Sequence, residues 1–240
     1  MRFEFDKIYN MDCLEGMEYM PDESIDLIVT DPPYKVTQNG GCGNMSGYVK
    51  SEAYRKGRVF KHNDIDIEEY LPHFYRILKN KGHCYIMCNN LNLPHFFDVI
   101  SKSGFHFTKL LVWDKKNKIC SRYYMCQVEY IFFLRKGSDK QINECGTSDL
   151  LSYSNPRDKM KDGSNIHDSQ KPVRLMQTLI ECSSNEDEVV FDPFIGSGTT
   201  AVAAIKSNRR FIGFELDKHY FDIANKQIIS EMRKKSKKLF

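Results

Sequence analysis

"VVFDPFIGSGTTAVAA", residues 189 to 204, decides the fold, because it combines a buried strand, a glycine turn and the start of a helix. Gly196 and Gly198 permit backbone angles that a Cβ would forbid, and they let a ligand approach the main chain. The helix that follows directs free N–H groups and the positive end of its dipole toward the same place. The stretch therefore predicts a cradle for a nucleotide or a carboxylate at the strand-to-helix turn.

Strands and helices alternate along most of the chain, a pattern typical of a mainly parallel α/β sheet. Hydrophobic periodicity predicts strands at 6–10, 25–30, 83–88, 106–113, 128–135, 188–192 and 210–215. It predicts helices at 66–79, 93–102, 171–183, 199–207 and 217–236. Between 106 and 135 no helix pattern separates the two strands, so we expect one of them to run antiparallel at an edge of the sheet.

Composition excludes several classes of protein. The 240 residues are 41% hydrophobic, which can fill a sizeable core, and the net charge is only +3 from 35 basic and 32 acidic residues. The chain has no signal-peptide core and no run near the roughly 18 apolar residues that span a membrane. Its eight cysteines include no C-x-x-C pair, which argues against disulfides and a metal site. We expect a soluble, cytoplasmic protein that binds no membrane.

A second stretch, "IDLIVTDPPY", residues 25–34, ends an apolar strand with an acid, two prolines and an aromatic ring. Pro32 and Pro33 cannot continue the strand, because neither donates a ladder hydrogen bond. Asp31 and Tyr34 are therefore predicted at the carboxyl end of a strand that is buried on both faces. Open α/β sheets bind their ligands at that end.

The glycine turn by itself leaves more than one function open. Gly196, Gly198 and Ala201 satisfy the G-x-G-x-x-G/A pattern of dinucleotide-binding folds, and Glu215 lies 17 residues beyond Gly198. These residues would suit a nicotinamide oxidoreductase. Such an enzyme would give "DPPY" no role.

The two motifs together resemble a known family. "DPPY" followed by "DPFIGSGTT" is similar to the circularly permuted β class of amino-methyltransferases, which use S-adenosylmethionine to methylate exocyclic nitrogens of DNA bases. Further blocks in family order are "YNMDCLEGMEYMPDESIDLIVTDPPY", "RILKNKGHCYIMCN", "KLLVWDKKN", "VEYIFFLRKG", "HDSQKP" and "FIGFELD". The resemblance spans nearly the whole chain and implies one methyltransferase domain, 1–240. Its fold would be a Rossmann-like, seven-stranded, mainly parallel sheet with one antiparallel strand and helices on both faces. The "YNMDC" segment would lie beside "FIGFE".

The resemblance also implies a cofactor site for S-adenosyl-L-methionine. Asp192 would accept from the amino group, Glu215 from the ribose, and Asp12 from the adenine, with the Cys13 N–H nearby. Phe194 and Phe214 would form apolar walls. Lys171 would lie near the methionine carboxylate. His167 would either orient its loop or contact the cofactor directly, and the first is favoured because Asp168 stands where the family often has proline. The full predicted set is Asp12, Cys13, Asp31, Lys171, Asp192, Phe194, Gly196, Ser197, Gly198, Thr199, Thr200 and Glu215.

Catalysis is predicted for the tetrapeptide Asp31, Pro32, Pro33 and Tyr34. An exocyclic amine is a poor nucleophile, because its lone pair is delocalised into the ring. Two acceptors, the Asp31 carboxylate and the Pro32 carbonyl, would draw on its hydrogens, and Tyr34 would stack on a base rotated out of the duplex. An aspartate at position 31 resembles adenine-N6 enzymes more than cytosine-N4 enzymes, which more often carry serine. The alternatives are a cytosine-N4 enzyme and a non-catalytic DNA-binding subunit.

Two long segments, 35–63 and 136–165, do not fit the alternation of strands and helices, and loops of this length are usually functional or mobile. The first is predicted to face DNA, because it mixes aromatic rings with cations. Those cations are Lys35, Lys50, Arg55, Lys56, Arg58 and Lys61, and a second candidate strip contains Lys115, Lys116, Lys118 and Arg122. The resemblance implies a short target-recognition segment in 136–165. DNA is the predicted partner, and a second protomer and a cognate restriction endonuclease are further candidates.

Overall fold

The structure is a computed structural model and describes residues 2–33, 65–119, 124–155 and 170–238. Within these ranges, eight strands form one sheet. The strands are β1 Lys7–Tyr9, β2 Ile25–Thr30, β3 Leu78–Cys88, β4 His106–Ile119, β5 Cys126–Arg135, β6 Leu150–Ser152, β7 Val189–Asp192 and β8 Arg210–Phe214. The helices are α1 Cys13–Glu18, α2 Ile67–Ile77, α3 Leu93–Lys102, α4 Val173–Ser183, α5 Thr199–Lys206 and α6 Lys218–Lys238.

The spatial order of the strands is β1-β8-β7-β2-β3-β5-β4-β6. Neighbouring strands are parallel except that β5 runs antiparallel to both β3 and β4. The predicted mainly parallel sheet with one reversed strand is therefore confirmed, although the described sheet has eight strands and the resemblance implied seven. The expectation that the reversed strand lies at an edge is wrong, because β4 and the short strand β6 continue the sheet beyond it.

The first and last strands of the chain are neighbours in the sheet. β1 pairs in parallel with β8, and Lys7 lies opposite Ile212. Asn10 secures the carboxyl ends, since its side-chain amide donates to the main-chain carbonyls of Glu215 at 2.8 Å and Leu216 at 3.0 Å. This confirms the predicted placement of the "YNMDC" segment beside "FIGFE".

Both faces of the sheet are covered. In β2, Leu27, Ile28 and Val29 have no exposed area. Leu27 and Val29 pack on one face with α4, α5 and α6, whereas Ile28 packs on the other with α1, α2 and α3. The near-continuous apolar pattern of the central strands follows from this double burial.

Local differences from the predicted elements have simple causes. Helix α1 was not predicted, because its six residues are too few to show a helical period. Strand β3 begins at Leu78, earlier than the predicted residue 83, since "KNKG" resembles a turn although it is strand here. Strand β6, "LLS", is equally short and is defined only by its pairing with β4.

The described part of 136–165 packs beside the end of α4. The Asn143 N–H donates to the carbonyl of Cys182 at 2.7 Å, and its side-chain amide donates to the carbonyls of Glu181 and Ser184. Residues 156–165 lie outside the described part, so a recognition role for this segment stays a prediction. None of the described helices is both long enough and apolar enough to cross a membrane.

His83 on β3 generates a test of this packing. It has no exposed area, its Nε2–H donates to the Lys140 carbonyl at 3.0 Å, and its Nδ1 accepts from the Ser183 hydroxyl at 2.8 Å. Burial lowers the pKa of His83 to about 4. The unfolded chain therefore binds this proton more tightly, so the contribution of His83 to the unfolding free energy should fall as the pH drops from about 6.5 to 4, by up to about 1.4 kcal/mol per pH unit.

The check is urea unfolding across this pH range. In His83→Gln the pH slope of the unfolding free energy should be smaller than in the unaltered protein, whereas His219→Gln, at an exposed position on α6, should keep the full slope. Equal slopes in all three proteins would contradict a neutral, buried His83.

Candidate active site

Four carboxylates lie at the carboxyl ends of four adjacent parallel strands. Asp12 follows β1, Glu215 follows β8, Asp192 ends β7 and Asp31 follows β2. The sheet order thus brings together acids that are up to 203 residues apart in the chain (215 − 12). This is the edge at which open α/β sheets bind ligands.

The glycine turn between β7 and α5 has the predicted backbone. Gly196 and Gly198 have φ of +54° and +91°, the left-handed region, and Gly198 is the N-cap residue of α5. The Glu215 carboxylate accepts from the Gly196 N–H at 2.9 Å and from the Asp217 N–H at 2.8 Å. Glu215 therefore joins the end of β8 to the turn. The hydroxyl residues of the turn are buried, namely Ser197, Thr199 and Thr200.

Asp192 is held by three donors. Its Oδ1 accepts from Thr30 Oγ1 at 2.7 Å and from the Phe194 N–H at 3.1 Å, and its Oδ2 accepts from Thr200 Oγ1 at 2.6 Å. A carboxylate has about four lone-pair positions, so one position on Oδ2 has no donor among the described residues. Burial raises the pKa of Asp192 to about 6, against the opposing effect of these hydrogen bonds.

Asp31 presents two different oxygens. Oδ2 accepts from the Lys171 ammonium, whereas Oδ1 is buried and has no hydrogen-bond partner among the described residues. Burial raises the pKa of Asp31, although the Lys171 ammonium opposes this change. An unpaired buried acceptor is costly, and such groups are common where a ligand completes the bonding.

Lys171 lies between two carboxylates. Its ammonium contacts Asp31 and also lies 3.7 Å from Glu129 Oε2. Burial lowers the pKa of Lys171, but the charges of Asp31 and Glu129 outweigh that effect and raise it. Its predicted contact with the cofactor carboxylate stays a prediction, because in this structure the ammonium is engaged by these two acids.

Glu129 was not predicted as a site residue. It lies near the start of the reversed strand β5, opposite Trp113 of β4, and therefore at the same edge as the ends of the parallel strands. Glu129 Oε1 pairs with Lys115 Nζ at 3.1 Å. The available signal was a single acid within the apolar strand "CQVEYIFFLR", since a charge in a buried strand requires a partner.

Lys115 was expected to belong to a DNA-facing strip. That expectation is wrong, because its side chain is only 7% exposed and its ammonium contacts Glu129. Lys116 and Lys118 of the same strip are exposed, and Arg122 lies outside the described residues.

The predicted adenine end of the cofactor site is built around α1. Asp12 is the N-cap of this helix, and its Oδ1 accepts from the N–H groups of Leu14 at 2.8 Å and Glu15 at 3.2 Å. Cys13 is buried, and burial raises the pKa of its thiol to about 12. Phe194 is half-buried against the ring of Tyr70. The contacts of these three residues with the adenine end of a cofactor stay predictions.

Phe214 differs from the expectation that it forms a second apolar wall. It has no exposed area and packs in the core, where its ring lies 5.3 Å from the ring of Phe191. It is a core residue in this structure. The sequence could not separate the two roles, since an aromatic ring at a strand end suits either.

The tetrapeptide and the loops near it are only partly covered by the described residues. Pro32 is buried and Pro33 is half-buried, directly after Asp31. Residues 34–64 lie outside the described part of the chain, so Tyr34 and the predicted DNA-facing cations stay predictions; the cations are Lys35, Lys50, Arg55, Lys56, Arg58 and Lys61. His167 and Asp168 also lie outside it.

Comparison with known proteins assigns the chain to a family. Residues 25–226 match the family of N6 and N4 methyltransferases described as DNA methylase. The protein belongs to this DNA methylase family. This agrees with the order of "DPPY" and the glycine turn, and it leaves no role for a nicotinamide enzyme.

Relatives match over most of their length. The type II methyltransferase M2.DpnII of Streptococcus pneumoniae is 31% identical over 93% of this chain and 90% of its own length. The DNA adenine methyltransferase YhdJ of Escherichia coli strain K12 is 29% identical over 96% of this chain and 87% of its own length. Among solved structures, the crystal structure of an M1.HpyAVI–SAM complex superimposes on this protein with a TM-score of 0.68. The two chains are 24% identical in sequence, and the match covers 92% of this chain and 98% of the M1.HpyAVI chain. The structural likeness confirms the fold.

Gly198 provides a test of the turn. A Cβ on Gly198 would lie 3.0 Å from Cβ and 3.1 Å from Cα of Ala224 in α6, at a φ that disfavours any side chain. Gly198→Ala should therefore destabilise the protein by about 2 kcal/mol. Gly146→Ala is the matched control, since a Cβ there meets no atom within 4 Å, and its effect should stay within about 0.5 kcal/mol. Urea unfolding measures both, and equal effects would argue against a constrained turn.

Proposed function

We propose that this protein transfers a methyl group from S-adenosyl-L-methionine to the exocyclic N6 amine of adenine in DNA. The observation that carries the proposal is Oδ1 of Asp31, which is buried beside the glycine turn and has no hydrogen-bond partner in the described part of the chain. Strands β2 and β7 are adjacent and parallel, so Asp31 follows one strand next to the strand that ends in Asp192. This acceptor thus lies next to a site with the chemistry of a cofactor cradle.

The residues at the sheet edge suit S-adenosylmethionine. The open position on Asp192 fits an ammonium group, the start of α5 fits a carboxylate, and Glu215 and Asp12 offer acceptors for hydroxyl and amino groups. When bound there, the cofactor supplies an activated methyl group.

Asp31 acts on the target amine. Its Oδ1 accepts one amine hydrogen and the Pro32 carbonyl accepts the other, which shifts electron density toward the nitrogen lone pair and makes the nitrogen a better nucleophile. Lys171 fixes the carboxylate through Oδ2. Tyr34 supplies a stacking face for the extruded base.

Adenine is preferred over cytosine for two reasons. Aspartate opens the "DPPY" tetrapeptide, and the Escherichia coli relative is named as an adenine methyltransferase. Cytosine-N4 transfer is the second candidate, since the matching family includes N4 enzymes. The cationic segment 35–63 is proposed to contact DNA phosphates. A cytoplasmic location, a second protomer and a cognate endonuclease remain predictions.

The deciding experiment is transfer of a labelled methyl group to mixed-sequence duplex DNA, followed by nucleoside mass analysis. N6-methyldeoxyadenosine is the expected product. N4-methyldeoxycytidine would favour the second candidate, and DNA binding without any labelled nucleoside would favour a non-catalytic subunit. Because a ligand of the native state raises the unfolding midpoint, S-adenosylmethionine should raise it and NAD should not.

In the same assay, Asp31→Ala should lower transfer by at least 100-fold, roughly the loss expected on removing one acceptor aimed at the reacting group. Cofactor affinity measured by calorimetry should remain nearly unchanged. Asp98→Ala, which removes an exposed acid on α3, is the control and should behave like the unaltered protein. Retained turnover in Asp31→Ala would rule out the proposed role of the carboxylate.

Asp192 predicts the pH dependence of cofactor binding. Its pKa of about 6 means that the carboxylate takes up a proton as the pH falls below 6. An ammonium ligand prefers the ionised form, so affinity should be constant above about pH 7 and should fall by up to about tenfold per pH unit below 6.

Asp192→Asn should bind the cofactor more weakly at pH 7.5 and should lose this dependence between pH 5 and 7. Asp222→Asn, at an exposed position on α6, should retain both the affinity and the dependence. Calorimetric titration at several pH values checks the prediction, and an identical profile in Asp192→Asn would assign the dependence to another group.

A further inference from the structure

Four charged side chains alternate in sign along the edge of the sheet at which the parallel strands end, and the last of them is Asp31. Lys115 Nζ lies 3.1 Å from Glu129 Oε1, Glu129 Oε2 lies 3.7 Å from Lys171 Nζ, and Lys171 donates to Asp31 Oδ2. They come from four parts of the chain, which are β4, β5, the segment before α4 and the residue after β2. We call this set the charge chain.

The charge chain is largely buried. The side chains of Lys115 and Lys171 are 7% and 8% exposed, and those of Glu129 and Asp31 are 19% and 22% exposed. Removing charges from water costs several kcal/mol per ion, and replacing a buried ion pair by apolar residues is often neutral or stabilising. A single Lys171–Asp31 pair would already be neutral. The presence of a second buried pair, Lys115 with Glu129, is therefore not explained by stability.

We propose that Glu129 and Lys115 are positioning residues for methyl transfer, which set how strongly Lys171 holds the catalytic carboxylate of Asp31. This inference rests on the proposed function. It assigns no contact with DNA or cofactor to either residue, since both act through Lys171.

Electrostatics gives Glu129 and Lys115 opposite effects. The negative charge of Glu129 attracts the Lys171 ammonium, from 3.7 Å, in competition with Asp31, which leaves more electron density on Asp31 for the amine hydrogen. Lys115 neutralises part of the Glu129 charge and limits this effect. Accordingly, the charge of Glu129 contributes to raising the pKa of Asp31, and the ammonium groups of Lys171 and Lys115 outweigh burial and hold the pKa of Glu129 below its ordinary value.

Other titratable groups face the charge chain from neighbouring strands. Cys88 ends β3, and burial raises the pKa of its thiol to about 12, so it stays neutral at the relevant pH. Asp192 ends β7, and its own titration affects cofactor binding. Saturating S-adenosylmethionine removes the contribution of cofactor binding. The fall of the transfer rate at low pH, which we call the acid limb, then reports the protonation of Asp31 beside Lys171, Glu129 and Lys115.

The test is the single-turnover rate of methyl transfer as a function of pH, with enzyme in excess over DNA. Glu129→Gln removes a charge that raises the pKa of Asp31, so the acid limb should shift to lower pH by about one unit. The plateau rate should fall several-fold, because Asp31 becomes a weaker acceptor. Lys115→Met leaves the Glu129 charge unopposed, so its acid limb should shift to higher pH.

Three further variants serve as controls. Lys115→Arg keeps the charge and should keep the acid limb of the unaltered protein. Lys109→Met removes a lysine from the same strand, but this lysine is 57% exposed and pairs with Asp149 at the surface, so the limb should not move. The double variant Lys115→Met with Glu129→Gln should return the limb toward its original position, since both charges are gone.

The outcomes separate this inference from the proposed function. Shifts of opposite sign in Glu129→Gln and Lys115→Met support it, whatever the melting temperatures. Limbs identical to the unaltered protein, with only lower melting temperatures, reduce both residues to a structural role and overturn the inference while methyl transfer stands. If Glu129→Gln does not fold, the shift in Lys115→Met alone decides. If the unaltered protein transfers no methyl group, the proposed function fails and the inference fails with it.

Discussion

The parallel pairing of β2 with β7 is the constraint on which the site depends. Leu27 lies opposite Val190 and Ile28 opposite Phe191, so the ends of the two strands are level. Thr30 then reaches Asp192 with a 2.7 Å hydrogen bond. This register places the acid after β2 next to the glycine turn after β7, and a shift of one residue would turn Thr30 and its neighbours to the other face.

This constraint concerns sheet neighbours and not chain order, which explains how the motifs can be permuted. The chain supplies the reacting strand β2 early and the cofactor strand β7 late, 162 residues apart at the Thr30–Asp192 bond. Strand β1 completes the cofactor half by pairing with β8 near the other end of the chain. Strand β2 packs against α4, α5 and α6 on one face of the sheet and against α1, α2 and α3 on the other. These contacts stabilise the sheet whichever of the two motifs comes first in the chain.

Features carried by local pattern could be predicted from the sequence. Apolar runs located the central strands, and the breakers after them placed Asp31, Asp192 and Glu215 at the carboxyl edge, where the structure has them. Prediction from the sequence fails where tertiary contacts determine the structure. Strand β6 exists only through its pairing with β4, and Phe214 is a core ring because neighbours cover it. No local pattern states that an ammonium will lie between two acids from distant segments.

Glu129 illustrates the same limit and also what the structure adds. Its strand β5 runs opposite to the other strands of the sheet. A residue near the start of β5 therefore lies at the edge where the other strands end. A single antiparallel strand therefore delivers an acid to the site from its amino end, which the parallel strands cannot do. The acid requires partners because it is buried, and Lys115 and Lys171 supply them. Asp31 consequently keeps one oxygen on Lys171, while its other oxygen has no partner among the residues that the structure describes. A neutral, apolar surrounding would not hold the carboxylate in this one orientation.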